Sequence, residues 1–260
     1  MAKNPSLSRE NAILTSLNDV SPIDLAKSSA AIRRYFSALQ FDEVTLGPFD
    51  AYPIDYGGEV IDVAGVGQLR FNTEPEIWTA RGDSKRFFSI SDLFRRESEI
   101  NLLRRVNFII VDFYQPGSGV EELLGVFGEL LKHLQRHGYV GRLADLKSSV
   151  GEYDPVEDAP RLDSPDTGWV VTRGYDAAHS FFEVDDSGAS TRNELFLVTP
   201  WGHLEIGAMG IAGWNRNPAY ALRDGRTHLC PPLALWGMGF GLERLLLAEQ
   251  ILGILNKSRI

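Results

Sequence analysis

Close to its C-terminal end the chain reads LWGMGFGLERLLLAEQILG (Leu235–Gly253), with glycine at every second position from Gly237 to Gly241. Residues two apart on a strand share a face. Three glycines on one face leave bare backbone, onto which something flat can lie. Glu243-Arg244 follows at once and opens an apolar run with helical spacing. An arginine in the first turn of that helix can aim its fork at a phosphate on the ligand's edge. A packing contact against another helix, with Arg244 in a surface ion pair, explains the same residues. A dinucleotide fingerprint does not. The spacing is G-x-G-x-G, and only 19 residues follow Gly241, too few for the rest of a βαβ unit. No Walker A pattern occurs in the sequence.

A second stretch, LFRRESEINLLRRVNFIIVDFYQ (Leu93–Gln115), points the same way. Its two ends are rich in β-branched and aromatic residues and read as an antiparallel pair joined by a polar loop. Arg95 and Glu97 then share one face, and Phe108, Asp112 and Tyr114 share one face of the partner strand. An arginine can clamp an α-phosphate, a glutamate can accept from an adenine amino group, and a phenylalanine can stack on a purine. Arg104 and Arg105 in the loop could hold the outer phosphates. An ordinary amphipathic hairpin explains each residue singly but not the co-facial set.

The 260 residues suffice for one large domain or two small ones, and for a sizeable core. No apolar run approaches a membrane span, and MAKNPSLSRE lacks the apolar core of a secretory signal. The only cysteine is Cys230, which excludes disulfides and cysteine-rich zinc sites and suits a reducing cytoplasm. A formal net charge of −9 argues against a nucleic-acid footprint over the whole surface, though not against a local basic groove.

Residues 1–20 are weakly patterned and read as an N-terminal extension. Ser21-Pro22 opens a helix to Gln40, with Ser21 as N-cap. Phe41–Phe49 reads as a strand ended by Pro48, and Glu59–Phe71 as two short strands around Gly65. EPEIWTA reads as a short helix. The next helix runs from near Ser118 to Gly138, with Leu123, Leu124, Phe127, Leu130, Leu131 and Leu134 as its buried stripe. The acidic, proline-rich region 141–193 reads as a surface insertion or mobile loop. A hairpin turning at Thr199–Gly202, the glycine strand and a closing helix complete a single domain over 1–260. The expected class is α+β: an antiparallel β-sheet flanked by helices.

FRRE…RRVNF resembles motif 2 of the class II aminoacyl-tRNA synthetases, GMGFGLER resembles their motif 3, and FDEVTLGP resembles motif 1 with its proline at Pro48. The resemblance covers roughly residues 25–255, apart from 141–193. VDFYQPGSGVEELLGVFGELLKHL and LEIGAMGI look most like the pyrrolysyl and phenylalanyl branch. LRFNTEPEIW and NELFLVTPWGHLEIG look more like the lysyl/aspartyl branch and the archaeal asparagine-synthetase-like proteins. Neither end resembles an anticodon-binding domain.

The resemblance implies a role for each matching residue. Arg95 would bind the α-phosphate and the substrate carboxylate, Glu97 would read adenine, and Phe108 would stack on it. Arg104 would hold the γ-phosphate and Arg244 the far side of the triphosphate, with ATP lying on the face of Gly239 and Gly241. Glu205 would hold Mg²⁺ between phosphates. The position three further on is Ala208, which leaves the number of metal ions open. Glu76, Trp78, Asp112, Tyr114 and Met209 would line the amino-acid pocket. Glu76 is placed to meet the α-amino group, with Glu74 as the alternative. Gly207, two past Glu205, would leave room for substrate on the same face. His203 is expected to point away from Glu205 and to be structural, and His133 and His137 to lie on the surface.

The implied activity is an adenylate-forming ligase using ATP and Mg²⁺ to activate an amino acid or related carboxylic acid. The acceptor is left open among tRNA, ammonia or a small amine, a protein lysine and a carrier-protein thiol. The acidic charge tilts the expectation away from tRNA. An inactive paralogue serving as a regulatory subunit is the non-enzymatic alternative. A homodimer is expected, with Ser21–Gln40 and Phe41–Pro48 at the two-fold interface.

Overall fold

The computed structural model describes residues 17–50, 60–73, 76–77, 80–97, 100–117, 119–154, 159–161, 167–173, 192–200, 202–211 and 235–257. Helix α1 (Pro22–Ala38) starts where Ser21 accepts from the Asp24 N–H at 3.0 Å, with Pro22 in its first turn. Helix α2 (Val120–Arg136) buries Leu123, Phe127, Leu130, Leu131 and Leu134, at helical spacing. It ends at Gly138, whose φ of +82° favours glycine. The expected cap, Ser118, lies outside the described residues, and Gly119 holds the N-cap position. Helix α3 (Leu242–Lys257) follows the glycine strand directly.

Strands β1 (Asp42–Glu43), β4 (Phe87–Phe94), β5 (Asn107–Gln115), β6 (Ser148–Asp154), β7 (Ala159–Arg161), β8 (Gly168–Arg173), β9 (Asn193–Thr199), β10 (Gly202–Ile211) and β11 (Trp236–Gly241) form one sheet. Its order is β1-β4-β5-β11-β10-β9-β8-β6-β7. Two pairs, β1 with β4 and β6 with β8, are parallel, and the other six are antiparallel. Strands β2 (Asp62–Val63) and β3 (Gly67–Gln68) form a small hairpin, with Gly65 at φ +74° in its turn.

One face of the large sheet carries Phe88, Phe113, Leu195, Leu197, Met209, Met238 and Phe240, packed against the three helices in the main core. Each such side chain contributes about 1.5–3 kcal/mol of apolar burial. The region 141–193 corrects the expectation of a surface insertion. Its described residues supply β6, β7 and β8 to the sheet. Trp169 is buried edge-on to Phe127, and its Nε1 donates to the Leu143 carbonyl at 3.1 Å. Strands β6 and β7 carry too few apolar positions for a period-two pattern to stand out, and the apolar run of β8, Trp169–Val171, does not alternate.

Candidate active site

The opposite face of the sheet is also largely buried, but its central residues are polar. One row crosses six strands, from Ser89 through Asp112, Gly239, Ala208 and Glu194 to Thr172. Ser89, Asp112, Glu194 and Thr172 are all buried. The next row reads Phe87, Tyr114, Gly237, Gly210. Two carboxylates therefore flank a floor of small residues, a trough on the non-helical face. Thr73, in the segment after the β2–β3 hairpin, donates to Asp112 Oδ2 at 2.6 Å. Arg192 lies 2.5 Å from Glu194 Oε1.

The glycine face is only partly bare. A Cβ on Gly237 would run into the Tyr114 ring, and one on Gly239 into the Asp112 carboxylate. At these two positions glycine makes room for side chains of β5, a correction to the expectation of an open face. Only Gly241 keeps space, where the nearest atom to an added Cβ is Arg244 Cβ at 3.6 Å.

Arg244 joins two separate parts of the chain. Its Nη1 donates to Glu205 Oε2 at 3.1 Å and to the Glu205 carbonyl at 3.2 Å, while Nε donates to the Leu103 carbonyl at 3.4 Å. Side-chain exposure is 34% for Arg244 and 40% for Glu205, so the pair borders solvent. Burial alone raises the Glu205 carboxyl, but Arg244, Arg192 and Arg95 together hold it below the ordinary carboxylate range. Glu243, the neighbour of Arg244, accepts the Ile109 N–H with both oxygens, at 2.9 and 3.0 Å. That clamp fixes the first turn of α3 beside Phe108.

The Arg95 guanidinium lies over two rings, Phe71 at 4.8 Å and Phe108 at 5.1 Å. Glu97 is half-buried in the loop that follows. Arg104 is exposed on a tight turn in which Asn101 accepts from the Leu103 and Arg104 amides. Arg105 is paired with Asp19. Glu76 is ion-paired with Arg70 at 2.6 Å. Trp78 and Glu74 lie outside the described residues.

Three placements differ from the sequence reading, two through one bulge. The pairing of β10 with β9 shifts between Glu205 and Gly207. The extra residue puts Gly207 opposite Phe240, on the helix side, where a Cβ would meet the Gly239 carbonyl. Gly207 therefore does not share a face with Glu205, and Met209 is buried in the main core instead of lining the trough. Conversely His203, two before Glu205, shares its face and packs edge-on to Phe196 at 5.6 Å. Of the helix histidines, His137 is exposed, while His133 is half-buried against Tyr35. The sequence reading missed Arg192 and Glu194, though their two-residue spacing places both on the trough. It also missed Arg70 and Thr73, although both lie in the LRFNTEPEIW stretch.

Solved structures with the same architecture include the Entamoeba histolytica asparaginyl-tRNA synthetase, at a TM-score of 0.61 and 13% identity over 94% of this chain and 64% of that one. The Pyrococcus horikoshii asparaginyl-tRNA synthetase complexed with asparaginyl-adenylate gives 0.63 and 12%, over 95% and 66%. The fold is that of the class II aminoacyl-tRNA synthetase catalytic core. The E. histolytica protein with asparaginyl-adenylate gives 0.59 and 12%, over 94% and 64%. The chain thus spans 64–66% of the length of these proteins. No protein-family model and no curated protein matches the sequence. Within this class II fold, the trough and the Arg244–Glu205 pair lie on the face of the sheet that the helices leave free. Among the described residues no helix is long and apolar enough to cross a membrane.

Proposed function

We propose that the protein is an adenylate-forming ligase that activates an amino acid, or a related carboxylic acid, with ATP and passes it to an acceptor. The observation that carries this reading is the meeting of Arg244 with Glu205 and with the loop at Leu103, with Arg95 and Arg192 in electrostatic reach of the same carboxylate. Cations gathered on a water-accessible edge suit a polyphosphate better than they suit packing.

In the proposed reaction the substrate carboxylate attacks the α-phosphorus of ATP, and pyrophosphate leaves in line. A P–O bond to the acid forms as the bond to the β-phosphate oxygen breaks, so no covalent enzyme intermediate arises. Negative charge grows on the α-phosphoryl oxygens and the leaving group. Arg95 and Arg244, held in advance, stabilise it. A purine stacking on Phe108 displaces the Arg95 guanidinium from that ring and frees it for the α-phosphate. Glu97 reads the adenine amino group, Arg104 takes the γ-phosphate, and the open face at Gly241 admits the nucleotide. Asp112, Tyr114 and Glu76 receive the acid, with Glu76 on the amine.

Magnesium bound to ATP needs only one or two protein carboxylates, since phosphates and water complete its shell. Glu205 fits this role, being ionised and open to solvent, and it would hold the ion. The ion would draw charge from the phosphoryl oxygens.

Charging of tRNA is the second reading, favoured by the likeness to tRNA synthetases. We infer a homodimer through α1 and β1, and light scattering on the purified chain checks it. The proposed ATP site is tested by titrating ATP with magnesium into the wild type and Arg244→Ala. Affinity is expected to fall at least tenfold in the variant, and equal affinities would contradict the assignment.

A further inference from the structure

Arg70 is the largest side chain with no exposed surface among the described residues. A buried guanidinium is tolerated only when paired and hydrogen-bonded. Arg70 Nε donates to the Gly47 carbonyl at 2.7 Å, and Nη2 to the Phe49 carbonyl at 3.0 Å. Its Nη1 lies 2.6 Å from Glu76 Oε2 and 3.5 Å from Asp50 Oδ1. Asp50 in turn accepts the Phe71 N–H at 3.0 Å. The Arg70 backbone is held as well: its N–H donates to Pro48, and its carbonyl accepts from Phe94, the residue before Arg95.

One residue, through its side chain and its backbone, thus ties the turn at 47–50 to the segment of residues 70–73 and 76–77 and to the end of β4. That segment reaches both halves of the proposed site. Phe71 lies under the Arg95 guanidinium, and Thr73 holds Asp112. Ile77 packs in one cluster with Phe87 and Tyr114, so Glu76 sits at the end of the trough. Arg70 grips Glu76 by a single oxygen, and a fifth of the Glu76 side chain stays exposed. Glu76 is the more exposed of the two carboxylates facing Arg70, and its second oxygen can accept from an ammonium group.

We propose that Arg70 is a positioning residue for recognition of the substrate's amine: by gripping Glu76 through Oε2 it orients the carboxylate that receives the ammonium group. The proposal rests on the adenylation reading above. A lysine at position 70 keeps the charge but not the planar fork that serves several acceptors at once.

The test is ATP–pyrophosphate exchange with the proteinogenic amino acids and their des-amino acids, in wild type, Arg70→Lys and Glu76→Gln. The wild type is expected to favour the amino acid over its des-amino partner. In both variants that preference falls at least tenfold, through KM for the acid, while KM for ATP stays within about twofold. If Arg70→Lys does not fold, Glu76→Gln alone decides. Unchanged amine preference in Glu76→Gln, or equal losses toward ATP and acid in Arg70→Lys, overturns the proposal and leaves adenylation standing. A wild type without exchange on any acid overturns the adenylation reading, and this assignment falls with it.

Discussion

Asp112 and Phe113 are neighbours on β5, yet they belong to opposite worlds. Phe113 faces the helices among other apolar side chains, and Asp112 faces the trough, buried beside Ser89 and opposite Gly239. On the helix side, burial needs no partners and each contact adds stability. On the trough side, a buried polar group costs free energy unless it is matched, as Thr73 matches Asp112 and Arg192 matches Glu194. A sheet that only had to fold would gain by filling both faces with apolar side chains. Retaining carboxylates and arginines on one face, over a floor of glycine and alanine, is what a ligand-binding surface requires.

The sharpest way to break this contrast is to exchange the kinds of loss. Phe113→Ala is expected to cost about 3–5 kcal/mol of stability in denaturant unfolding, with any surviving folded protein keeping its affinity for ATP. Arg244→Ala is expected to lower the rate of adenylate formation by about 10²–10³-fold, with the unfolding midpoint little changed. If Arg244→Ala instead lowered the unfolding midpoint while the folded fraction kept its turnover, the arginine would belong to the structural face. Asp112→Asn keeps the shape and the Thr73 contact. It is expected to raise KM for the acid about tenfold while KM for ATP holds, as steady-state exchange kinetics would report.

A smaller effect concerns pH. Burial lifts the Asp50 carboxyl to about 7, only partly offset by the Phe71 amide and Arg70. Its pKa in the folded state exceeds the unfolded one, so the folded state binds the proton more tightly. This contribution to stability is fully present below the unfolded value near 4 and is lost as pH rises through about 7. Asp50→Asn should flatten that decline in unfolding free energy between pH 4 and 7. A decline of the same slope in the variant would move its origin to another group.

The cluster beside the trough was partly legible because its residues sit at short, fixed spacing. The alternating glycines, Arg244, and the Arg95 and Phe108 pair all lie within two stretches of sequence, and the fold brings both stretches to adjacent strands. What escaped has local physical causes. One extra residue between Glu205 and Gly207 reverses a face, and nothing in LEIG announces a bulge. The glycines at 237 and 239 were read as room for a ligand, whereas cross-strand register gives that room to Tyr114 and Asp112. The mistake over His203 was one of period, since residues two apart cannot face opposite ways on an unbroken strand. Arg70 looks like any polar residue in a short strand, and only its two carbonyl acceptors and two ion-paired carboxylates distinguish it. Strands β6 and β7 were hidden by proline and acid because their apolar positions are few, and β8 because its short apolar run, Trp169–Val171, shows no alternation and takes its place by pairing with β9.

The central claim is that this face of the sheet joins a carboxylic acid to the α-phosphate of ATP. ATP–pyrophosphate exchange, driven one by one by a panel of amino and related carboxylic acids with magnesium present, tests it most directly. Exchange supported by one acid or a small related set, and lost in Arg244→Ala, is the expected result. A well-folded wild type that binds ATP but shows no acid-dependent exchange across the panel would contradict it.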